Sequence, residues 1–327
     1  MSALLSKFRL VQPKTVEEAV DARLGHPGSR FIAGGTDLLV SMRHGIDSPD
    51  LLVDLSSIDE LTEIETTITS VTIGAGVTIA TLARNEVIAS RYRALAQAAD
   101  AIAGPGHRVM ATVGGNLCLD TRCIYYNQSE WWRHANACCL KNRGDTCHVA
   151  PQGKRCHAAF TGDLAPALLI FGAEIDIVGA RGRRRISLSD LYVEDGKAHL
   201  TLAAGELIVA VHLPSDPPSS AYAKIRPRAA IDYPLAGVAV ALAASGTIIS
   251  SLRVALTGTN SRPFLLAGTE EFSGRSVDEK LLAEIDRLVQ KQVQPMRTTL
   301  TSANYRRVVA AALARRLTAS LSAAGAA

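Results

Sequence analysis

The chain has 327 residues, 47% of them apolar and 5% aromatic, with a net charge of +4. That length suits two domains, or one domain with additions, and leaves ample apolar material for a core. There is no basic stripe with interleaved aromatics to engage nucleic acid, no apolar run near the roughly 20 residues of a membrane span, and no secretory pattern between Met1 and Pro13, so a cytoplasmic protein is expected.

Residues 15–25 carry helical periodicity, with Thr15 as cap and Glu18 three positions on as its capping-box partner. A short strand, Arg30 to Ala33, runs into Gly34-Gly35-Thr36-Asp37 and then a helical stretch, LLVSMRHG. Leu51 to Leu55 is a buried-strand run. Residues 62–80 alternate Thr or Ser with Ile or Val, which predicts a half-buried strand pair. ATLARN begins a helix, and the helical pattern continues over 91–103 until Gly104-Pro105-Gly106 breaks it. A second glycine element, Thr112-Val113-Gly114-Gly115-Asn116, follows.

From Asp163 a helix resumes with Pro166 in its first turn, where Asp163 suits an N-cap. Residues 173–178 and 184–188 read as a hairpin, with Arg181 to Arg185 solvated at its turn. Pro214, Pro217 and Pro218 mark a linker. Beyond it, 233–257 form two apolar runs around Gly246-Thr247, an antiparallel meander, and 277–293 and 304–321 are amphipathic helices. The expected class is α+β, with a domain over 1–217 and a smaller one over 218–327.

All six cysteines lie between Cys118 and Cys156. A structural disulfide set would tie distant elements together and does not suit a reducing compartment; clustering points to metal. The segment 118–160 has poor periodicity and holds both tryptophans. A stretch of that length without regular patterning is unusual in a compact domain and tends to be functional. Cys123, Cys139, Cys147 and Cys156 are spaced by 16, 8 and 9 residues. Structural zinc favours close pairs, whereas four thiolates around an iron–sulfur cluster accept wider spacing. Spacing alone leaves a cluster, zinc and redox or structural thiols open. Cys138 adjoins Cys139 and competes with it as a ligand. His134, His148 and His157 read as solvated or hydrogen-bonded loop residues.

Each glycine element places two glycines where the backbone can approach a ligand, and the first stands before a helix N-terminus, which suits a pyrophosphate and, taken alone, equally a tight turn. Neither is a G-x-G-x-x-G or P-loop pattern. Two such loops suit a dinucleotide held from opposite sides. AGGTDLL, TVGGN and GDLAPALL, in that order, with Tyr222-Ala-Lys224-Ile-Arg226 and Tyr233-Pro-Leu-Ala-Gly-Val, resemble the FAD-binding subunits of the xanthine oxidase and carbon monoxide dehydrogenase family of molybdenum hydroxylases. The resemblance implies a vanillyl-alcohol-oxidase or PCMH-type FAD domain followed by a C-terminal domain like that of the carbon monoxide dehydrogenase flavoprotein. It implies FAD contacts from Ile32, Ala33, Gly34, Gly35, Thr36, Asp37 and Leu38, and from Thr112, Gly114, Gly115 and Asn116. It further implies Asp163 at the adenosine side, Ile208 at the adenine or flavin rim, and Lys224 near the isoalloxazine.

The cysteine segment, with CLDTRCIYYNQSEWW and CCLKNRGDTCHVAPQGKRCHAAF, resembles the flavin subunits of the 4-hydroxybenzoyl-CoA reductase type. That resemblance implies a [4Fe–4S] cluster on Cys123, Cys139, Cys147 and Cys156, with Cys118 and Cys138 left out. It also implies a molybdenum-cofactor subunit and a [2Fe–2S] subunit as partners in a dimer of heterotrimers, and ferredoxin as electron donor.

Overall fold

The computed structural model describes residues 5–325. Strand β1 (Arg9–Val11) precedes helix α1 (Val16–Leu24), β2 (Arg30–Ile32), α2 (Leu38–Arg43) and β3 (Leu51–Asp54). Strand β3 lies between β1 and β2 and is parallel to both. The Thr15 hydroxyl accepts from the Glu18 N–H at 3.1 Å, and the Glu18 carboxylate accepts from the Lys14 N–H at 2.7 Å. This cap starts α1 where its buried face, Val16, Ala19 and Val20, meets Leu51 and Val53 of β3.

The chain continues through β4 (Ile64–Thr66), β5 (Ser70–Gly74), α3 (Ile79–Arg84), α4 (Glu86–Arg91), α5 (Arg93–Ala101), α6 (Pro105–Arg108), α7 (Val113–Leu117), α8 (Glu130–Ala135), α9 (Leu164–Leu169), β6 (Glu174–Gly179), β7 (Gly182–Ser187) and β8 (Leu207–Pro214). The strands make an antiparallel sheet in the order β4-β5-β8-β6-β7. The alternating stretch over 62–80 gives strands only as far as Gly74, because Thr78 caps α3 by accepting from the Thr81 N–H at 3.1 Å. Gly104 ends the preceding helical run, but Pro105 opens a further single turn, where its missing N–H costs nothing. The arginine run is a hairpin whose charges are paired: Arg183 with Glu60, Arg184 with Glu206 at 2.9 Å and Arg185 with Asp176 at 2.7 Å.

The last part holds β9 (Ser219–Ile225), β10 (Ala236–Ser245), β11 (Ile248–Thr257), β12 (Phe264–Leu265), α10 (Glu279–Gln292) and α11 (Ala303–Gly325). Its antiparallel sheet runs β12-β11-β10-β9. Period-2 alternation sorts side chains by size between two faces. Val238, Val240, Val254 and Leu256 pack with Leu281, Ile285 and Ala310 of the helices. Ala239, Ala241 and Ala255 face the core of the preceding part, among Leu95, Leu164 and Leu168. Small residues on that face bring α5 and α9 close to the sheet.

The segment 118–160 contains only the short helix α8 as regular structure. Its entry and exit are joined at a neck: Arg122 and Ala159 exchange backbone hydrogen bonds of 2.7 and 2.8 Å. Buried arginines hold it down. Arg133 is 2% exposed and donates to the carbonyls of His44 at 3.1 Å, Gly45 at 2.7 Å and Gln128. Arg306 of α11 is fully buried and donates to the carbonyls of Leu235, Met296 and Gly258; Thr298 of the same loop accepts from the Ile124 N–H at 2.9 Å. Burial lowers the Arg306 guanidinium to about 10, still charged at neutral pH.

His199 closes the base of the segment, with Nε2–H donating to the Leu119 carbonyl at 3.0 Å. Burial holds its pKa down to about 4 from 6.5, so the folded chain keeps it neutral. Between those values the unfolded chain binds the extra proton, so stability is lost as pH falls through that window. The expected loss is about 3 kcal/mol between pH 7 and pH 4. In His199→Phe that contribution is absent. Urea midpoints for both proteins at pH 7 and pH 4.5 check this, and equal pH slopes would refute it.

Candidate functional site

The two glycine elements meet. A Cβ on Gly34 would stand 1.7 Å from the Met110 carbonyl oxygen, so the first loop lies directly on the chain entering the second. Gly35 has φ +67°, a left-handed conformation that turns the loop before α2 at little steric cost. The residues Ile32 to Leu38 are all half-buried rather than enclosed. Among the described residues, the N–H groups of Gly34, Gly35, Thr36 and Asp37 have no protein acceptor. Four successive free donors ahead of a helix can receive an anion.

The second loop is different. Its Gly114 N–H is taken by Ala75 at 2.7 Å, and its Gly115 N–H by the Thr112 hydroxyl at 3.2 Å. Asn116 spends its side-chain oxygen on the Leu164 N–H at 3.1 Å, capping α9. The first loop therefore offers donors, and the second supplies a rigid wall. This donor set fits the diphosphate of a dinucleotide such as FAD.

Asp163 occupies the N-cap position of α9 without making a side-chain cap. Its carboxylate instead accepts from the Tyr222 hydroxyl at 2.5 Å and pairs with the Lys224 ammonium at 2.9 Å. Burial pushes the Asp163 carboxyl up and the Lys224 ammonium down from their ordinary values, while their contact pulls both back toward charge. Asp163 and Lys224 thus stand together, next to the Asn116 contact on Leu164. The pair also bolts α9 to β9, so a buried carboxylate that read as a cap is a junction between two parts of the chain. Ile208 sits in β8 opposite Ile177, 2% exposed, within the hydrophobic core.

Four of the six cysteines converge. Cys123, Cys139, Cys147 and Cys156 are buried and line one small cavity beneath Tyr125 and Tyr126. Cys118 packs against the core of the main domain, and burial raises its thiol to about 12. Cys138 lies outside the cavity, with Sγ 4.0 Å from His134 Nδ1. The turn at these neighbours is strained: Ala137 and Cys138 have φ of 57° and 41°. Such backbone persists where the surroundings over-determine it and tends to mark a functional site.

Burial raises Cys123 to about 12 and Cys156 to about 11, so thiolates there require a strongly cationic centre to replace their protons. Among the described residues, no three His, Cys, Asp or Glu side chains converge as ligands of one metal ion. Four thiolates, one to each iron, are the donor set of a [4Fe–4S] cluster, and four cysteines line this cavity.

Several residues were not legible as site residues in the sequence. Arg122, beside Cys123, pairs with Asp37 of the first glycine loop and lies 4.8 Å from the Tyr233 ring, linking that loop, the neck and the C-terminal part. Its Nε is buried without a partner. His148 is not a solvated loop histidine: it lines the cysteine cavity, stacks 5.4 Å from Tyr125 and has a buried Nε2 without a partner. His134 is exposed, and His157 is half-buried. Only the nearness of Arg122 and His148 to cysteines in sequence hinted at them.

The fold and the two loops define a dinucleotide-binding domain with an appended sheet-and-helix domain, and comparison with known proteins gives them a family. A profile for the FAD binding domain in molybdopterin dehydrogenase matches residues 6–216, and one for the CO dehydrogenase flavoprotein C-terminal domain matches residues 220–321. The chain belongs to the FAD-binding subunits of the molybdenum hydroxylase family, the medium chains of carbon monoxide dehydrogenase-type enzymes. It is 34% identical over 279 residues to the aldehyde oxidoreductase FAD-binding subunit PaoB of Escherichia coli (strain K12), covering 81% of this chain and 86% of that one. It is 26% identical over 313 residues to the carbon monoxide dehydrogenase medium chain of Afipia carboxidovorans, covering 94% of each. The solved structure of reconstituted CO dehydrogenase from Oligotropha carboxidovorans shares the fold with a TM-score of 0.81 at 24% identity, over 98% of this chain and 99% of that one. No helix among the described residues is long and apolar enough to cross a membrane.

Proposed function

We propose that this chain is the FAD- and [4Fe–4S]-carrying electron-transfer subunit of a molybdenum enzyme of the 4-hydroxybenzoyl-CoA reductase type. The observation that carries the reading is the convergence of Cys123, Cys139, Cys147 and Cys156 on one buried cavity within an FAD-subunit fold. When bound, the cluster exchanges single electrons and FAD exchanges one or two. The chain's own residues hold and insulate these groups. The free N–H groups of Gly34 to Asp37 receive the diphosphate, Thr112 to Asn116 brace it, and the four cysteines ligate the cluster. No substrate chemistry falls to this chain; that belongs to a molybdenum-cofactor subunit, reached through a [2Fe–2S] subunit, in a dimer of heterotrimers.

In this reading ferredoxin supplies the electrons. Two electrons and two protons convert 4-hydroxybenzoyl-CoA to benzoyl-CoA and water. The order and spacing of the cysteine segment support it. The 34% identity to an aldehyde oxidoreductase subunit favours a second reaction, aldehyde oxidation with electrons flowing outward.

Two measurements test the proposal. Anaerobically purified chain should contain about four irons with matching sulfide and one flavin; zinc without flavin would sink the cofactor reading. The assembled complex should form benzoyl-CoA from 4-hydroxybenzoyl-CoA and reduced ferredoxin. Formation of a carboxylic acid from an aldehyde, with no thioester turnover, would replace the first reaction by the second.

A further inference from the structure

Lys141 follows Cys139 by two residues, and its ammonium points inward. The side chain is 5% exposed and lines the cavity shared by the four cysteines. Nζ donates to Asp120 Oδ1 at 2.6 Å, to the Thr121 hydroxyl at 2.6 Å and to the Thr121 carbonyl at 3.2 Å. It also lies 4.4 Å from the centre of the Tyr126 ring, another wall of the cavity. Three acceptors and an aromatic face fix the group, so it cannot swing into solvent. Its counter-charge is not placed symmetrically. Asp120 is 34% exposed and does not line the cavity, whereas Lys141 does. The other buried cations of the region are spent elsewhere and lie outside the lining: Arg306 on carbonyls and the Thr298 hydroxyl, Arg133 on the carbonyls of His44, Gly45 and Gln128 and on Asn142.

We infer that Lys141 is a tuning residue, a fixed cation that raises the reduction potential of the iron–sulfur centre held by Cys123, Cys139, Cys147 and Cys156. This rests on the reading of those four cysteines as cluster ligands. Reduction adds one electron, supplied by an external one-electron donor, to a centre already bound by four thiolates. Net charge is one of the determinants of cluster potential. In a buried site the interaction with a nearby ammonium is far less screened than in water. The reduced form therefore gains more from Lys141 than the oxidised form does. A surface lysine would leave the potential almost unmoved.

The test uses the full chain purified anaerobically as wild type, Lys141→Met, Lys141→Arg and Asp120→Asn. Iron, sulfide and flavin are quantified, and the centre is titrated with dithionite while the EPR signal of its reduced form is followed. Lys141→Met should keep its iron and shift its midpoint to lower potential. Lys141→Arg should stay near wild type, and Asp120→Asn should shift upward because the ammonium loses its counter-charge. A full iron complement with an unmoved midpoint in Lys141→Met overturns the inference. So does loss of iron in both lysine variants, which would make Lys141 a packing element only. If Lys141→Met does not fold, an unmoved midpoint in Asp120→Asn overturns it. Absence of iron from the wild-type chain would fail the cluster reading itself, and the inference with it.

Discussion

Serine at Cys123, Cys139, Cys147 or Cys156 is expected to strip most of the iron from the chain, while serine at Cys118 or Cys138 leaves it in place. The expectation follows from where the sulfurs go. The first four share a cavity wall; Cys118 is packed beside the flavin-type domain, and Cys138 is turned toward His134. Cys138 and Cys139 make the sharpest comparison, because they are consecutive in the chain and the left-handed turn through Ala137 and Cys138 sends them different ways. A hydroxyl is a poor substitute for a thiolate on iron, so each exchange at the cavity removes one of about four protein bonds to the centre. Iron content per chain, measured without oxygen, checks the series. If Cys138→Ser loses iron and Cys139→Ser keeps it, the assignment of the turn is wrong.

Gly34→Ala is expected to yield a folded chain that purifies without flavin. Its Cβ would lie 1.7 Å from the Met110 oxygen and 2.3 Å from the Met110 carbon, both backbone atoms that no rotamer change can move aside. The two glycine loops would have to separate by more than an ångström. Forced repacking of this kind costs about 1–3 kcal/mol, within reach of a whole domain's stability but concentrated where the free N–H groups stand. Gly106→Ala is the matched control: nothing lies within 4 Å of its added methyl, and it should keep both stability and flavin. Flavin absorbance per chain and thermal midpoints read both variants. Full flavin in Gly34→Ala would remove the first loop from the cofactor site.

Local chemistry in the chain was legible where a single residue decides the outcome. The Thr15 cap, the Gly246-Thr247 turn and the irregularity of 118–160 follow from side-chain chemistry within a few positions. The pairing of two glycine loops was readable as a shared task, although their unequal parts were not, since that depends on which N–H groups Ala75 and Thr112 already occupy. Asp163 shows why burial defeats local reading. Its sequence position suits a cap, but Tyr222 and Lys224 arrive from about sixty residues further on and take both of its oxygens. Ile208 has no local signal separating a core strand from a cofactor wall. The buried cations Arg122, Arg133, Lys141 and Arg306 were invisible for a related reason: a long polar side chain reads as solvated until its distant acceptors are located.

The neck formed by Arg122 and Ala159 has a consequence for the history of this architecture. Two chain segments that enter and leave one rung apart can be rejoined by a turn of a few residues, with no shift in the strands and helices behind them. The cysteine-rich excursion therefore sits on its host as a detachable cassette. Gaining or shedding it need not redraw the scaffold, so chains with and without the excursion can descend from one frame.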